Sequence, residues 1–164
     1  MLAAIPNQTL IAGQSLTFTN QAGDADVPAQ ALTFSLSGAP AGATVTANTG
    51  IFNWRPAIAQ SRSTNPISVI VTDNGSPNLG ATQKFVVTVI QPMNPVAGAP
   101  ALSNGFLSFS VAGDSGPDYF VQASTNLTDW KSIWTNVSPA PPFQFSDPAA
   151  TNFNQRYYRV LLGP

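Results

Sequence analysis

Cysteine, histidine and glutamate are absent from this chain of 164 residues. Without cysteine and histidine, the chain lacks the usual ligands of zinc and haem and the usual thiol nucleophile. Charged residues make up only 8% of the sequence, and its six cations are spread along the whole length. Nucleic-acid binding needs a concentrated basic face, so we expect no nucleic-acid partner.

Uninterrupted helix-length or membrane-length segments are also lacking. The chain contains 15 Pro and 12 Gly, and helix interiors tolerate proline badly. Its apolar runs are strand-sized, so we expect no membrane span. There is no basic segment followed by an apolar one, as in a signal peptide. The residues after Met1 resemble the interior of a protein, and we expect an excised fragment with an added start residue.

Alternation of apolar and polar residues with a period of two is the main pattern in the chain. Leu32, Phe34 and Leu36 alternate with polar residues, and Phe85 and Val87 continue the same pattern. Such alternation predicts half-buried antiparallel strands, and their short spacing predicts a β-sandwich. In the first part of the chain, strands are predicted near 8–12, 15–20, 31–37, 43–46, 50–54, 66–73 and 83–91.

A proline-rich stretch at 92–100 divides the pattern and predicts a semi-stiff linker. We therefore predict a larger β unit over 1–91 and a smaller one over 101–164. The smaller unit is near the lower size limit for a self-sufficient core, so we expect it to lean on the first unit or the linker. Its strands are predicted at 105–112, 118–124, 130–137, 142–146 and 156–162.

Short motifs occur in order along the first unit, and others mark the second. They are Ile5-Pro6-Asn7-Gln8-Thr9, Gly23-Asp24-Ala25-Asp26, Leu32-Thr33-Phe34-Ser35-Leu36, Ala39-Pro40-Ala41-Gly42-Ala43, Thr49-Gly50-Ile51-Phe52-Asn53-Trp54-Arg55-Pro56, Val69-Ile70-Val71-Thr72-Asp73-Asn74-Gly75, Tyr119-Phe120-Val121-Gln122-Ala123-Ser124-Thr125-Asn126-Leu127 with Trp130, and Arg156-Tyr157-Tyr158-Arg159-Val160. Through them, residues 2–91 resemble the immunoglobulin-like, cadherin-like domains of large secreted bacterial proteins. Residues 105–164 are similar to a shortened fibronectin type III domain.

The resemblance implies an all-β protein, with an immunoglobulin/cadherin-like β-sandwich followed by a second small β-sandwich. It also implies a non-catalytic structural or adhesion module, outside the cell or on the bacterial cell surface. The partners it implies are neighbouring domains of a larger parent protein.

Acidic residues fall in two loops of the first unit that such a sandwich places at one end. Asp24 and Asp26 follow the second strand, and Asp73 and Asn74 follow the sixth. Calcium prefers several hard oxygen ligands, which these side chains supply in part. The resemblance to cadherin repeats implies the same ligands, completed by a preceding repeat. The alternative is that these side chains accept backbone N–H bonds in turns.

Aromatic residues of the second unit suggest a different site. Trp134, with Tyr157 or Tyr158 nearby, would form a platform on which sugar rings stack. The alternative is that these residues form the core of a small unit that needs large side chains. Trp130 and Trp134 are separated by an even number, which predicts that they share one face of a strand; for Trp130 we favour the core.

One segment, Gly113-Asp114-Ser115-Gly116-Pro117, resembles the nucleophile segment of trypsin-like proteases. The chain has no histidine to act as the base, so a tight turn between strands is the better interpretation. We therefore expect no enzymatic activity. The leading hypothesis is a structural or adhesion module, and the alternatives are a carbohydrate-binding accessory module and a fibre subunit that self-associates through exposed strand edges.

Overall fold

The computed structural model of the protein describes residues 1–25 and 29–163. Within this part of the chain, helical structure is limited to short 3-10 turns at Ile58–Gln60 and Ala150–Asn152. The chain divides into two compact units. The first comprises Met1–Ile11, Ser15–Pro56 and Gln60–Ile90, and the second comprises Ala12–Gln14, Ala57–Ala59 and Gln91–Pro164.

Two facing β-sheets form the first unit. Its strands are β1 (Gln8–Ile11), β2 (Leu16–Thr19), β3 (Leu32–Ser37), β4 (Thr44–Val45), β5 (Ile51–Trp54), β6 (Ser63–Asp73) and β7 (Gly80–Ile90). One sheet has the order β1-β7-β6-β3, and the other has the order β2-β5-β4. The predicted strands of this unit are confirmed, and β6 and β7 begin at Ser63 and Gly80, earlier than the predicted starts at 66 and 83.

Phenylalanine side chains from both sheets meet in the core of the first unit. The Phe18 and Phe52 rings stack with centroids 5.0 Å apart, and both lie 5.6 Å from the Phe85 ring, edge to face. Phe52 is fully buried and Phe85 is 2% exposed. Burying one such ring contributes about 1.5–3 kcal/mol, so this cluster is a main reason why the sheets stay together.

The first and last strands of this unit are neighbours and run parallel. Gln8 pairs with Val87 and Ile11 pairs with Ile90, whereas β7 pairs with β6 in antiparallel fashion over its whole length. The side chain of Asn7 extends the junction, because its Oδ1 accepts the backbone N–H of Val86 at 2.8 Å. The chain therefore enters and leaves the unit through two strands that are hydrogen-bonded to each other.

The turn before β5 depends on one glycine. Gly50 has a φ of 67°, in the left-handed region that side chains disfavour. A Cβ at this position would lie 2.9 Å from the carbonyl oxygen of Asn20 and 2.9 Å from the ring of Phe34. The carbonyl oxygen of Gly50 accepts hydrogen bonds from the backbone N–H and from the side-chain amide of Asn20. This position accepts only glycine without local rearrangement.

The second unit is a smaller sandwich of two sheets. Its strands are β8 (Val96–Ala97), β9 (Ala101–Ser103), β10 (Phe106–Ala112), β11 (Asp118–Ser124), β12 (Lys131–Asn136), β13 (Phe143–Asp147) and β14 (Tyr157–Gly163). One sheet has the order β13-β10-β8 with β9 also paired to β10, and the other has the order β12-β11-β14. The buried residues between the sheets are Phe109, Val111, Tyr119, Val121 and Phe145.

Two short strands, β8 and β9, were not predicted. The segment predicted as a linker contains β8, whose Val96 and Ala97 pair with Ala112 and Val111 of the second unit. Proline lacks the N–H that a strand donates, which is why the proline-rich sequence indicated a spacer. Val96 and Ala97 lie between two prolines, so their backbone groups are available for pairing.

Candidate functional site

Two of the predicted acidic residues of the first unit lie at one concavity of about 300 Å³. Asp24 and Asp73 both line it, together with apolar side chains such as Leu32 and Leu79. Asp26 lies outside the described residues. Across residues 1–25 and 29–163, three or more acidic, cysteine or histidine side chains do not gather anywhere as metal ligands.

Backbone amides occupy several oxygens of this acidic group. Asp73 Oδ1 accepts the N–H groups of Gly75 at 3.0 Å and Leu79 at 2.9 Å. Asp24 Oδ2 accepts the N–H of Gln30 at 2.7 Å, and Asn74 Oδ1 accepts the N–H of Ala31 at 2.9 Å. These bonds hold the two loops in place as turn caps. A cation bound here would need oxygens other than those that accept these N–H groups, and additional ligands.

The three aromatic residues predicted as a sugar platform lie on different faces. Trp134 and Tyr158 pack against the core of the second unit. The Trp134 ring lies 5.5 Å from that of Phe143 and 5.7 Å from that of Phe145, centroid to centroid. Tyr157 precedes Tyr158 in β14, so strand alternation turns it to the outer face, where it is 37% exposed. The structure does not bring the three rings together on one exposed face.

A β-bulge separates the two tryptophans of the second unit. Trp134 pairs with Val121, but the next pair is Gln122 with Ser132, so Ile133 is an extra residue in β12. Because of this extra residue, the even spacing of Trp130 and Trp134 no longer puts them on one face, and Trp130 falls on the outer face of the sheet. There the guanidinium of Arg159 lies 4.3 Å from the centre of the Trp130 ring, in a cation–π contact. The expectation that both tryptophans share a face was wrong.

A buried ion pair in the second unit had no counterpart among the predicted site residues. Asp147 Oδ2 lies 3.0 Å from Arg156 Nε, and their side chains are only 5% and 12% exposed. The same oxygen accepts the hydroxyl of Tyr158 at 2.8 Å, and Oδ1 accepts the N–H of Ala149 at 2.9 Å. Burial and this bond to Asp147 raise the pKa of Tyr158 to about 12. Asp147 precedes a proline, as is common in turns, so its local sequence does not mark it as part of an ion pair.

The loop between β11 and β12 is organised by Asn126. Its Oδ1 accepts the N–H groups of Thr128 at 3.0 Å and Asp129 at 2.9 Å, and its Nδ2 donates to Asp129 Oδ2 at 2.7 Å. Leu127 adopts a φ of 64°, which is uncommon for a bulky residue. Trp130 Nε1 donates to the Leu127 carbonyl at 2.9 Å, which holds that conformation.

This loop forms one wall of a concavity of about 400 Å³. The opposite wall contains Arg156 and Phe153, and the guanidinium carbon of Arg156 lies 4.1 Å from the centre of the Phe153 ring. Gln155 Nε2 donates to the carbonyl of Thr125 at 2.9 Å and so ties the two walls together. Sequence reasoning missed this concavity, because its lining residues come from segments distant in sequence.

The segment that resembles a protease nucleophile connects β10 to β11 as a turn. Asp114 Oδ2 accepts the N–H of Met93 at 2.7 Å, and the Asp114 carbonyl accepts the hydroxyl of Tyr119 at 2.7 Å. Burial raises the pKa of Tyr119, and the nearby Asp114 carboxylate adds to the shift. Gly116 has a φ of 119°, which a side chain would disfavour. These contacts account for the segment as a structural turn.

The fold is all-β and consists of an immunoglobulin/cadherin-like β-sandwich followed by a second small β-sandwich, as the sequence predicted. A family model described as "Putative Ig domain" matches residues 1–90. The chain belongs to this immunoglobulin-like family. Among curated proteins, none matches the chain.

Among solved structures, the chain is similar to cadherin and protocadherin chains. Mouse cadherin-23 EC22-24 is 28% identical over 55% of this chain and 30% of that one, with a TM-score of 0.42. Human CDH23 EC21-23 is 13% identical over 94% of this chain and 59% of that one, with a TM-score of 0.43. The protocadherin gammaB7 EC3-6 structure is 14% identical over 99% of this chain and 47% of that one, with a TM-score of 0.43. The chain spans less than two thirds of each of these structures.

In the described part of the chain, helical segments lack the length and the apolar character needed to cross a bilayer.

Proposed function

We propose that the chain is a non-catalytic structural or adhesion module of a larger secreted bacterial protein, located outside the cell or on its surface. Membership of the immunoglobulin-like family over residues 1–90 supports this function. The scarcity of charged residues and the absence of cysteine and histidine leave few groups for chemistry. Its partners are then the neighbouring domains of the parent protein.

The parallel pairing of β1 with β7 is the observation that carries the structural role. Tension applied to the two ends of the first unit pulls these strands in opposite directions along their length. The hydrogen bonds between them therefore share the force instead of breaking one after another. Such an arrangement suits a module that spaces or connects other domains under load. Single-molecule pulling on the two ends of this unit tests the proposal.

A screen for turnover tests the non-catalytic part of the proposal. The purified chain is incubated with chromogenic esters, chromogenic glycosides and an unfolded protein substrate at neutral pH. We expect product formation no faster than with a heat-denatured sample of the same chain. Sustained turnover that is abolished by denaturation would show that the module is an enzyme.

Calcium binding at Asp24, Asp26, Asp73 and Asn74 is part of the same proposal. The carboxylates of Asp24 and Asp73 line a common concavity, and hard oxygens are the ligands that calcium prefers. A ligand that binds the folded state raises the melting temperature. We therefore expect calcium to stabilise the chain and a chelator to reverse the effect.

Isosteric variants make this test specific. Asp24→Asn and Asp73→Asn keep an oxygen for the backbone bonds of the turns but remove the charge that attracts the cation. Both variants should lose the stabilisation by calcium, while Asp129→Asn in the second unit should keep it. A melting temperature that does not change with millimolar calcium would refute a calcium site in this chain.

A further inference from the structure

The concavity of about 400 Å³ in the second unit has the size of a small-ligand site. Ligand pockets typically enclose about 300–1,000 Å³ and combine apolar walls with a few convergent polar groups. Here Phe153 and Ile133 supply apolar surface, and Asn126, Asp129 and Lys131 supply polar groups. This lining shares no residue with the acidic concavity of the first unit.

The walls of this concavity are held in place before any ligand binds. Asn126 fixes its own loop through two backbone N–H bonds and one bond to Asp129. Arg156 is held on the opposite wall by its ion pair with the buried Asp147. Groups that are already ordered lose little conformational entropy when a ligand binds, which favours recognition of a small molecule.

Phe153 presents an exposed aromatic face. Its side chain stacks on the Arg156 guanidinium at 4.1 Å, and the residue is 41% exposed, whereas the arginine side chain is 12% exposed. The arginine covers one side of the ring, and Phe153 still keeps a large exposed surface at the concavity. An aromatic face offers a flat apolar surface to another flat ring.

The charges around the concavity balance one another. Arg156 is neutralised by Asp147, and Lys131 and Asp129 carry opposite charges on the lining. The Lys131 side chain forms no ion pair or hydrogen bond within residues 1–25 and 29–163, so its ammonium remains available as a donor. Asp129, an acceptor, lies on the same lining. A neutral ligand whose groups both donate and accept hydrogen bonds matches this arrangement better than an ion does.

We infer that this concavity binds a neutral sugar ring. The pyranose stacks its C–H face on Phe153, while its hydroxyl groups donate to Asp129 and accept from Lys131. This function goes beyond the proposed structural role and does not depend on it. The site differs from the platform of Trp134, Tyr157 and Tyr158 that the sequence suggested.

Saturation-transfer NMR with the full chain tests this inference. The probes are the methyl glycosides of glucose, galactose, mannose and N-acetylglucosamine at millimolar concentration, with methyl glucuronide as the charged comparison. We expect saturation transfer to at least one neutral glycoside. Phe153→Ala should weaken its binding about tenfold, because a stacked ring is lost. Lys131→Gln, an exposed substitution, should weaken binding without affecting the melting temperature.

Phe106→Ala is the matched control, since Phe106 is 49% exposed in the same unit but does not line the concavity. Its binding should equal that of the unchanged chain. The inference is overturned if no neutral glycoside gives a signal, if glucuronide binds more tightly than every neutral probe, or if the Phe153 and Phe106 variants behave alike. Circular dichroism of each variant separates loss of binding from loss of folding.

Discussion

Replacing Asp147 by alanine removes the most connected buried charge of the second unit. The substitution leaves the Arg156 guanidinium without its ion-pair partner and the Tyr158 hydroxyl without its acceptor, in a region where the Asp147 and Arg156 side chains are 5% and 12% exposed. Breaking a buried ion pair by removing one partner costs about 3–5 kcal/mol. At about 0.05–0.15 kcal/mol per residue, the stability of Gln91–Pro164 is roughly 4–11 kcal/mol, so this loss is a large fraction.

Tryptophan fluorescence during urea unfolding measures this loss in the second unit alone. The chain has three Trp, of which Trp54 lies in the first unit, so a Trp54→Phe background leaves reporters only in the second. Asp147→Ala should reduce the free energy of unfolding by about 3–5 kcal/mol or prevent folding of the unit. Asp147→Asn keeps an acceptor but no charge, and we expect a smaller loss of about 1.5–3 kcal/mol.

Asp129→Ala is the control for this series, because Asp129 is exposed in the same unit. Exposed charged residues usually contribute less than about 1 kcal/mol. If Asp147→Ala and Asp129→Ala lose the same small amount, the buried pair does not stabilise the unit and the reasoning fails.

Three further substitutions test other parts of the structure. The pKa of Tyr158 is raised from 10.0 to about 12, so the stabilisation that its protonated hydroxyl gives the fold is complete below pH 10 and is lost as the pH rises to about 12. Tyr158→Phe should flatten this part of the stability–pH curve, and an unchanged slope would contradict the shift. Gly50→Ala should cost about 2 kcal/mol or more in chemical denaturation, since a side chain is strained at this φ and meets Phe34; a neutral effect would mean that the turn adapts. Trp134→Ala should cost about 3–5 kcal/mol and Trp130→Ala clearly less, because the bulge puts only Trp134 in the core; equal losses would argue against the bulge.

Alternation in the sequence was sufficient to place most strands. Phe34, Phe85 and Val87 are buried where the pattern of period two predicted them, because a half-buried strand must turn every second side chain inward. Val96–Ala97 was missed because a strand of only 2 residues carries no periodicity. Strands this short are specified by the partner strand, not by their own sequence.

The aromatic site was harder to predict, for a physical reason. A single extra residue at Ile133 reverses the face of every position before it in the strand. Nothing in the residue types around Ile133 marks a bulge, since the extra residue is itself apolar and packs against the core. The ion pair of Asp147 and Arg156 joins two segments across a loop, and local sequence patterns do not report such pairs.

The meeting of the acidic loops at one end of the first unit could be predicted from the topology of a β-sandwich. The loops after β2 and β6 emerge at the same end of the sandwich, and Asp24 and Asp73 line one concavity there. The sequence could not distinguish a cation site from turn capping, because both use carboxylate oxygens. The backbone bonds of Asp73 and Asn74 depend on loop conformations that residue types alone do not determine.

The force needed to unfold the first unit tests the central claim, that the chain is a structural module, most directly. Because the chain contains no cysteine, cysteines introduced at positions 1 and 91 give unique attachment points that load β1 and β7 along their length. A second pair at positions 61 and 91 instead peels β7 from β6, one hydrogen bond at a time. We predict a clearly higher unfolding force for the first pair. Equal forces, or a lower force for the first pair, would contradict a module built to resist tension between its ends.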